Sequence, residues 1–171
     1  NFPGKLNFFY NKNSKFSLKI NNKSKNKKFY DPVTNMDKNF EKFIRNIIVK
    51  EFPENAIVGE EFLEKYSNSN YKWFIDPIDG TKAFMVGAPT WSNLIGLTYK
   101  NQPVLGLANF PELNKFYIND QKKSYLINKN KKILKTSKEN NLKKCKIIGH
   151  LHEVLFLKKN KKELKKIISS V

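Results

Sequence analysis

Between residues 35 and 51 the apolar positions Phe40, Phe43, Ile44, Ile47 and Ile48 fall at helical spacing, with charged residues opposite. Thr34 or Asn35 stands where an N-cap belongs, and Phe52-Pro53 ends the pattern. Residues 1–20 mix Phe2, Leu6, Phe8, Phe9, Phe16, Leu18 and Ile20 with lysine and asparagine, which suggests a first helix. "NNKSKNKK" at 21–28 is polar and basic and reads as a loop. "NAIVGEE" reads as a short strand whose end carries Glu60 and Glu61. "YKWFID" reads as a second strand, which Pro77 should stop near Asp76, since proline has no N–H for a ladder.

Beyond residue 90 the rhythm becomes that of strands: "WSNLIGLTYK", "NQPVLGLANF", "KFYIND" and "SYLINKN". Turn formers separate them at Asn101-Gln102-Pro103, Pro111 and Asn119-Asp120, so the segment predicts an antiparallel meander. "CKIIGH" reads as one more strand opening a new unit. "KKNKKELKKIISSV" reads as an amphipathic helix through Leu164, Ile167 and Ile168. The elements together predict an α+β fold. No internal repeat is visible.

Composition changes this picture only a little. The chain has 171 residues, with 33 Lys+Arg against 15 Asp+Glu. Such an excess can mark a nucleic-acid partner. However, Arg45 is the only arginine, base-specific readers lean on arginine, and asparagine is abundant as well. The reading taken is compositional drift toward lysine and asparagine, without a nucleic-acid partner. Cys145 is the single cysteine, so the chain has no internal disulfide; that fits a reducing, cytoplasmic setting and a small apolar role for the thiol. No apolar run approaches the roughly 18 residues of a membrane span, so no membrane partner is expected. The chain opens on Asn1 with nothing resembling a signal peptide, which leads to the expectation that the true N-terminus lies upstream.

The acids are scarce, yet they gather at element ends: Asp31, Asp37, Glu60, Glu61, Asp76 and Asp79. Asp-Pro-x-Asp-Gly alone is often a strand and a tight turn. Here the apolar "WFI" would hold Asp76 rigidly, and carboxylates packed together need a cation to offset them. Carboxylates with backbone carbonyls are the ligand set of hard divalent ions, Mg²⁺ above all. His150 and His152 in "GHLHE" have no partner cysteine and read as non-ligands. Gly80 lets backbone amides approach a ligand, a short helix from Thr81 would present N–H groups to an anion, and the Thr81 hydroxyl could orient a water. A hard metal, an anion cradle and a polarised water together describe phosphate-ester hydrolysis.

"GEE" at 59–61, "WFIDPIDGTKAF" at 73–84 and "DPVTNMD" at 31–37 resemble, in order and spacing, the motifs of the inositol monophosphatase family, over roughly residues 25–150. The resemblance implies a Mg²⁺-dependent phosphomonoesterase with the layered α/β/α/β/α sandwich of sugar phosphatases, its first domain an antiparallel sheet with flanking helices. It implies that Glu60, Asp76, the Ile78 carbonyl and Asp79 hold metal, with two or three Mg²⁺ ions in the full-length protein. Thr81 and Glu60 would polarise the attacking water, Asp37 would hydrogen-bond Thr81, and the Gly80 and Thr81 amides would hold the substrate phosphate. A small phosphorylated substrate is the implied partner, with a second copy of the chain, as a homodimer, a further one.

The pattern Gly87-x-Pro89-x-Trp91 with Leu94-Ile95, and "FYDPVT", resemble the histidinol-phosphatase branch, so histidinol phosphate is the preferred substrate and inositol 1-phosphate or another sugar phosphate the alternative. The family's lysine before "DPVT" could be Lys25, Lys27 or Lys28. Its Trp-Asp motif has no counterpart here, the tryptophans being Trp73 and Trp91. The expectation is therefore a metal- and phosphate-binding domain over 1–144 and, over 145–171, the start of a truncated second domain.

Overall fold

The computed structural model describes residues 2–13, 17–24, 32–146 and 160–168. The chain divides into two compact units, Asn1–Leu134 and Lys135–Val171. The first begins with helix α1 (Phe2–Asn13), strands β1 (Ile20–Asn22) and β2 (Pro32–Thr34), and helix α2 (Asn35–Glu51). Strands β3 (Ala56–Gly59) and β4 (Tyr71–Asp79), the one-turn helix α3 (Thr81–Met85) and strands β5 (Ser92–Tyr99), β6 (Gln102–Phe110), β7 (Lys115–Asn119), β8 (Ser124–Ile127) and β9 (Lys131–Leu134) follow. The second unit contains helix α4 (Lys161–Ile168), on which Leu164 is buried.

Strands β3 to β9 form one seven-stranded sheet in chain order, and β1 and β2 pair separately. The meander from β4 onward is antiparallel, as the turn spacing predicts. The first pair differs: β3 runs parallel to β4. A parallel pair needs a crossover rather than a hairpin, and residues 60–70 supply it. β9 also escapes the sequence reading, because "KKIL" is too charged to look like a strand. Among the described residues it is an edge strand paired only to β8, where lysines are tolerated and discourage further pairing.

The apolar stripe of α2 explains where the core sits. Ile44 and Ile48 pack with Leu6 of α1 against Ile57, Ile75 and Ile95 of the sheet. Nearer the α2 N-terminus, Met36 and Phe40 pack with Ile78, Phe84 and Trp91. Trp91 is 1% exposed and contacts Tyr10, Phe40 and Phe84 rings at 5.0–6.1 Å between centroids.

Thr34 sets the start of α2. Its side chain accepts from the Met36 and Asp37 amides, while the Asp37 carboxylate accepts from the Thr34 amide at 2.8 Å, a reciprocal capping box. The helix stops at Phe52, as Phe52-Pro53 requires. The expectation that β4 ends near Asp76 is corrected: the strand continues to Asp79. β3 has run out beyond Ile75, and the register against β5 shifts between Asp76 and Asp79. Pro77 sits inside that bulge, where no ladder N–H is demanded.

Replacing Thr34 with alanine removes the α2 cap. It should destabilise the fold by about 1–2 kcal/mol, read as a lowered urea midpoint with an unchanged slope. An unaltered midpoint would show that the cap contributes nothing.

Candidate metal and phosphate site

The bulge re-aims the end of β4, so that Asp76, the Ile78 carbonyl and Asp79 are presented beside the start of α3. Side-chain amides hold the bulge. Asn93 Nδ2 donates to the Pro77 carbonyl at 2.6 Å, and Asn109 Nδ2 donates to Asn93 Oδ1 at 2.9 Å and to Asn7 Oδ1 at 3.0 Å. Asn93 and Asn109 are fully buried, so this amide chain ties α1 through two strands to the backbone between Asp76 and Ile78.

Asp76 follows apolar residues, and its Oδ1 is buried with no hydrogen-bond partner among the described residues. Burial, reinforced by the charges of Glu60 and Asp79, pushes its carboxyl from 3.8 up to about 7. Ile78 buries its side chain in the core and leaves its carbonyl facing the site, where it accepts from Thr81 Oγ1 at 3.1 Å. Asp79 is exposed and accepts from Ser92 Oγ at 3.4 Å.

Gly80 caps α3 with φ at +81°, a left-handed conformation that side chains resist, and no side chain caps the helix. The first amides of α3 are thereby left to a ligand oxygen. The short helix expected from Thr81 is present, and Thr81 Oγ1 lies 3.5 Å from Asp37 Oδ1. Asp37 is 2% exposed, and its carboxyl is raised by burial against the hydrogen bonds it accepts from Thr34. It therefore does two things at once: one oxygen completes the helix cap and the other faces Thr81.

Glu60 and Glu61 lie just beyond the end of β3. Lys23 Nζ donates to Glu60 at 2.9 Å and also to Glu61, whose side chain is buried. Burial disfavours the Lys23 charge, but the hydrogen bonds to Glu61 and then Glu60 outweigh it and drive its pKa upward. Lys23 is thus the lysine that the described structure brings to the acids. Sequence reasoning named Lys25, Lys27 and Lys28, which lie outside the described residues, as do Asp31, His150 and His152. Lys23 stands ahead of "DPVT" like those candidates, but more distantly.

Among the described residues, no three Asp, Glu, His or Cys side chains are drawn tightly enough together to grip an ion as they stand. Like charges repel, and Glu60 is turned to Lys23. Among the described residues the donor set is nevertheless that of a hard cation: carboxylate oxygens, one of them unsatisfied, beside the Ile78 carbonyl, without a sulfur or imidazole ligand. A divalent cation would take the place of the donor that Asp76 Oδ1 lacks.

Comparison with known proteins gives the family. The sequence model of the inositol monophosphatase family matches residues 11–168. A histidinol-phosphatase of Chlorobaculum parvum is 43% identical over 86 residues, covering 50% of this chain and 33% of that protein. A fructose-1,6-bisphosphatase/inositol-1-monophosphatase of Aquifex aeolicus is 40% identical over 87 residues, covering 51% and 33%. The chain thus spans about a third of the length of these relatives. The crystal structure of an IMPase/NADP phosphatase complexed with Mg²⁺ and phosphate superposes with a TM-score of 0.65 at 19% identity, covering 74% of this chain and 49% of that one. That likeness shows the fold.

The raised Asp76 pKa has a sign that can be measured. The folded chain keeps a proton on Asp76 that the unfolded chain releases, so between about pH 4 and about pH 7 the unfolded state binds fewer protons and stability falls as pH rises. In chelator, the urea midpoint of the wild type should therefore drop across that window relative to Asp76→Asn. Parallel curves for the two proteins would refute the buried, uncompensated carboxyl.

Proposed function

The chain belongs to the inositol monophosphatase family, and from that premise we propose that its protein is a Mg²⁺-dependent phosphomonoesterase acting on histidinol phosphate. The observation that carries the reading is the buried, unpartnered Asp76 oxygen set between Glu60 and Asp79. The neighbour complexed with Mg²⁺ and phosphate supports the choice of ion. Glu60, Asp76, the Ile78 carbonyl and Asp79 would hold it, in a protein carrying two or three ions. Bound Mg²⁺ supplies Lewis-acid polarisation of the phosphoryl oxygens and offsets the charge on the departing alkoxide.

The chain's own groups do the rest. The amides of Gly80 and Thr81 bind a phosphate oxygen at the uncapped start of α3. The Thr81 hydroxyl, beside Asp37 and the Ile78 carbonyl, is oriented so that its remaining lone pair and the Glu60 carboxylate hold a water in line with the phosphorus. Glu60 must leave Lys23 to do so, and Lys23 then keeps Glu61. All these groups lie within the segment 1–144, which we read as the metal- and phosphate-binding domain, with 145–171 belonging to a second.

The substrate choice rests on the Gly87-x-Pro89-x-Trp91 motif and on the Chlorobaculum parvum relative. Trp91 itself is core, packed on Phe84, so within the motif it acts by fixing the α3 end of the site. The Aquifex aeolicus relative favours a second reading, inositol 1-phosphate or another sugar phosphate.

The protein should release phosphate from histidinol phosphate faster than from inositol 1-phosphate, only with Mg²⁺, and Asp79→Asn should return the rate to that of the metal-free control. Faster turnover of inositol 1-phosphate would move the assignment to the second reading. Turnover that survives chelator or Asp79→Asn would remove the metal mechanism altogether.

A further inference from the structure

Glu41 has no part in the chemistry above, yet it is the most completely enclosed acid of the fold, with 0% of its side chain exposed. It lies one helical turn beyond Asp37 on α2, and Arg45 lies one turn further. Arg45 Nε donates to Glu41 Oε1 at 2.7 Å, and the amide of Glu61 donates to Glu41 Oε2 at 2.6 Å. Arg45 also donates from Nη2 to the Phe62 carbonyl at 3.2 Å and lies over the Phe62 ring at 5.9 Å. A Cβ placed on Gly59 would overlap the Glu41 carboxylate. The carboxylate therefore lies against the backbone at Gly59 and is bonded to it at Glu61, on the two sides of Glu60.

We infer that Glu41 is a positioning residue that fixes the Gly59–Glu61 turn and thereby aims the Glu60 side chain toward Asp76; as a statement about metal, this rests on the proposed function. The arrangement is more than a surface ion pair at i,i+4, because both carboxylate oxygens are used and one is used by the turn. A glutamine keeps the size but puts an NH2 donor at one of the two oxygen positions, so that either the Arg45 or the Glu61 N–H meets a donor there. A methyl on Gly59 leaves the chemistry of the pair intact and displaces the carboxylate.

The test uses the whole chain, with Mg²⁺ as the probe, by calorimetry well below each variant's melting temperature, and amide exchange at Glu61 by NMR. Glu41→Gln and Gly59→Ala should each weaken Mg²⁺ binding by about 10–100-fold and speed exchange of the Glu61 amide. Gly59→Ala should add little in a Glu41→Ala background, because the obstacle is gone. Should Glu41→Gln not fold, Gly59→Ala decides. Unchanged affinity in the folded variants, beside a wild type that binds Mg²⁺, would overturn the inference and leave the proposed function standing. A wild type that binds no Mg²⁺ would instead remove the proposed function. The Glu61 amide then decides the inference alone: fast exchange in the variants supports the brace, and unchanged exchange overturns it.

Discussion

Burying a carboxylate oxygen without a donor is costly, and Asp76 holds one in that state at the end of an apolar strand. The neighbouring elements can be understood through that charge. The register shift at Pro77 lets the strand run on to Asp79, so that Ile78 and Asp79 follow Asp76 into the start of α3. The crossover after β3 delivers two more acids, and Lys23 offsets part of their charge. The sheet supplies rigidity here, because Ile75 and Ile78, either side of Asp76 along the strand, are packed in the core and fix its backbone.

Helix α2 joins the apolar and polar halves of the argument. One face carries Phe40, Ile44 and Ile48 into the core. Beside it runs a polar line from the Thr34 cap through Asp37 and Glu41 to Arg45, each pair spaced by about a turn. Such a line inside a fold is destabilising unless every member is satisfied, and here each one is. The members reach outward to separate loops, Asp37 to Thr81 and Glu41 to the turn after β3.

Much of this was legible in the residues. The period of Phe40, Ile44 and Ile48 marked α2, the cap at Thr34 or Asn35 and Phe52-Pro53 bounded it, and the turn formers after residue 90 separated the strands of the meander. The carboxylates at strand ends stood out because acids are scarce in so basic a chain. What was not legible depended on contacts distant in sequence. Pro77 argued for a strand end, and only the bulge against β5 lets the strand continue. Lys23 looked like one lysine among many in a polar run until the fold set it between Glu60 and Glu61. Asn93 and Asn109 read as ordinary strand residues, since nothing local shows that their amides meet. Glu41 read as part of a charged helical face, although it is buried.

An α-helix advances about 1.5 Å and turns about 100° per residue, so Asp37 and Glu41 are held about 6 Å apart on one side of α2. One residue inserted between them would swing Glu41 and Arg45 away from the turn they hold, while leaving Asp37 where it was. The crossover from residue 60 to residue 70 is pinned in its turn, at Phe62 by Arg45 and at Lys65 by the backbone of Ile57. Homologous chains should therefore keep a constant interval from position 37 to position 45.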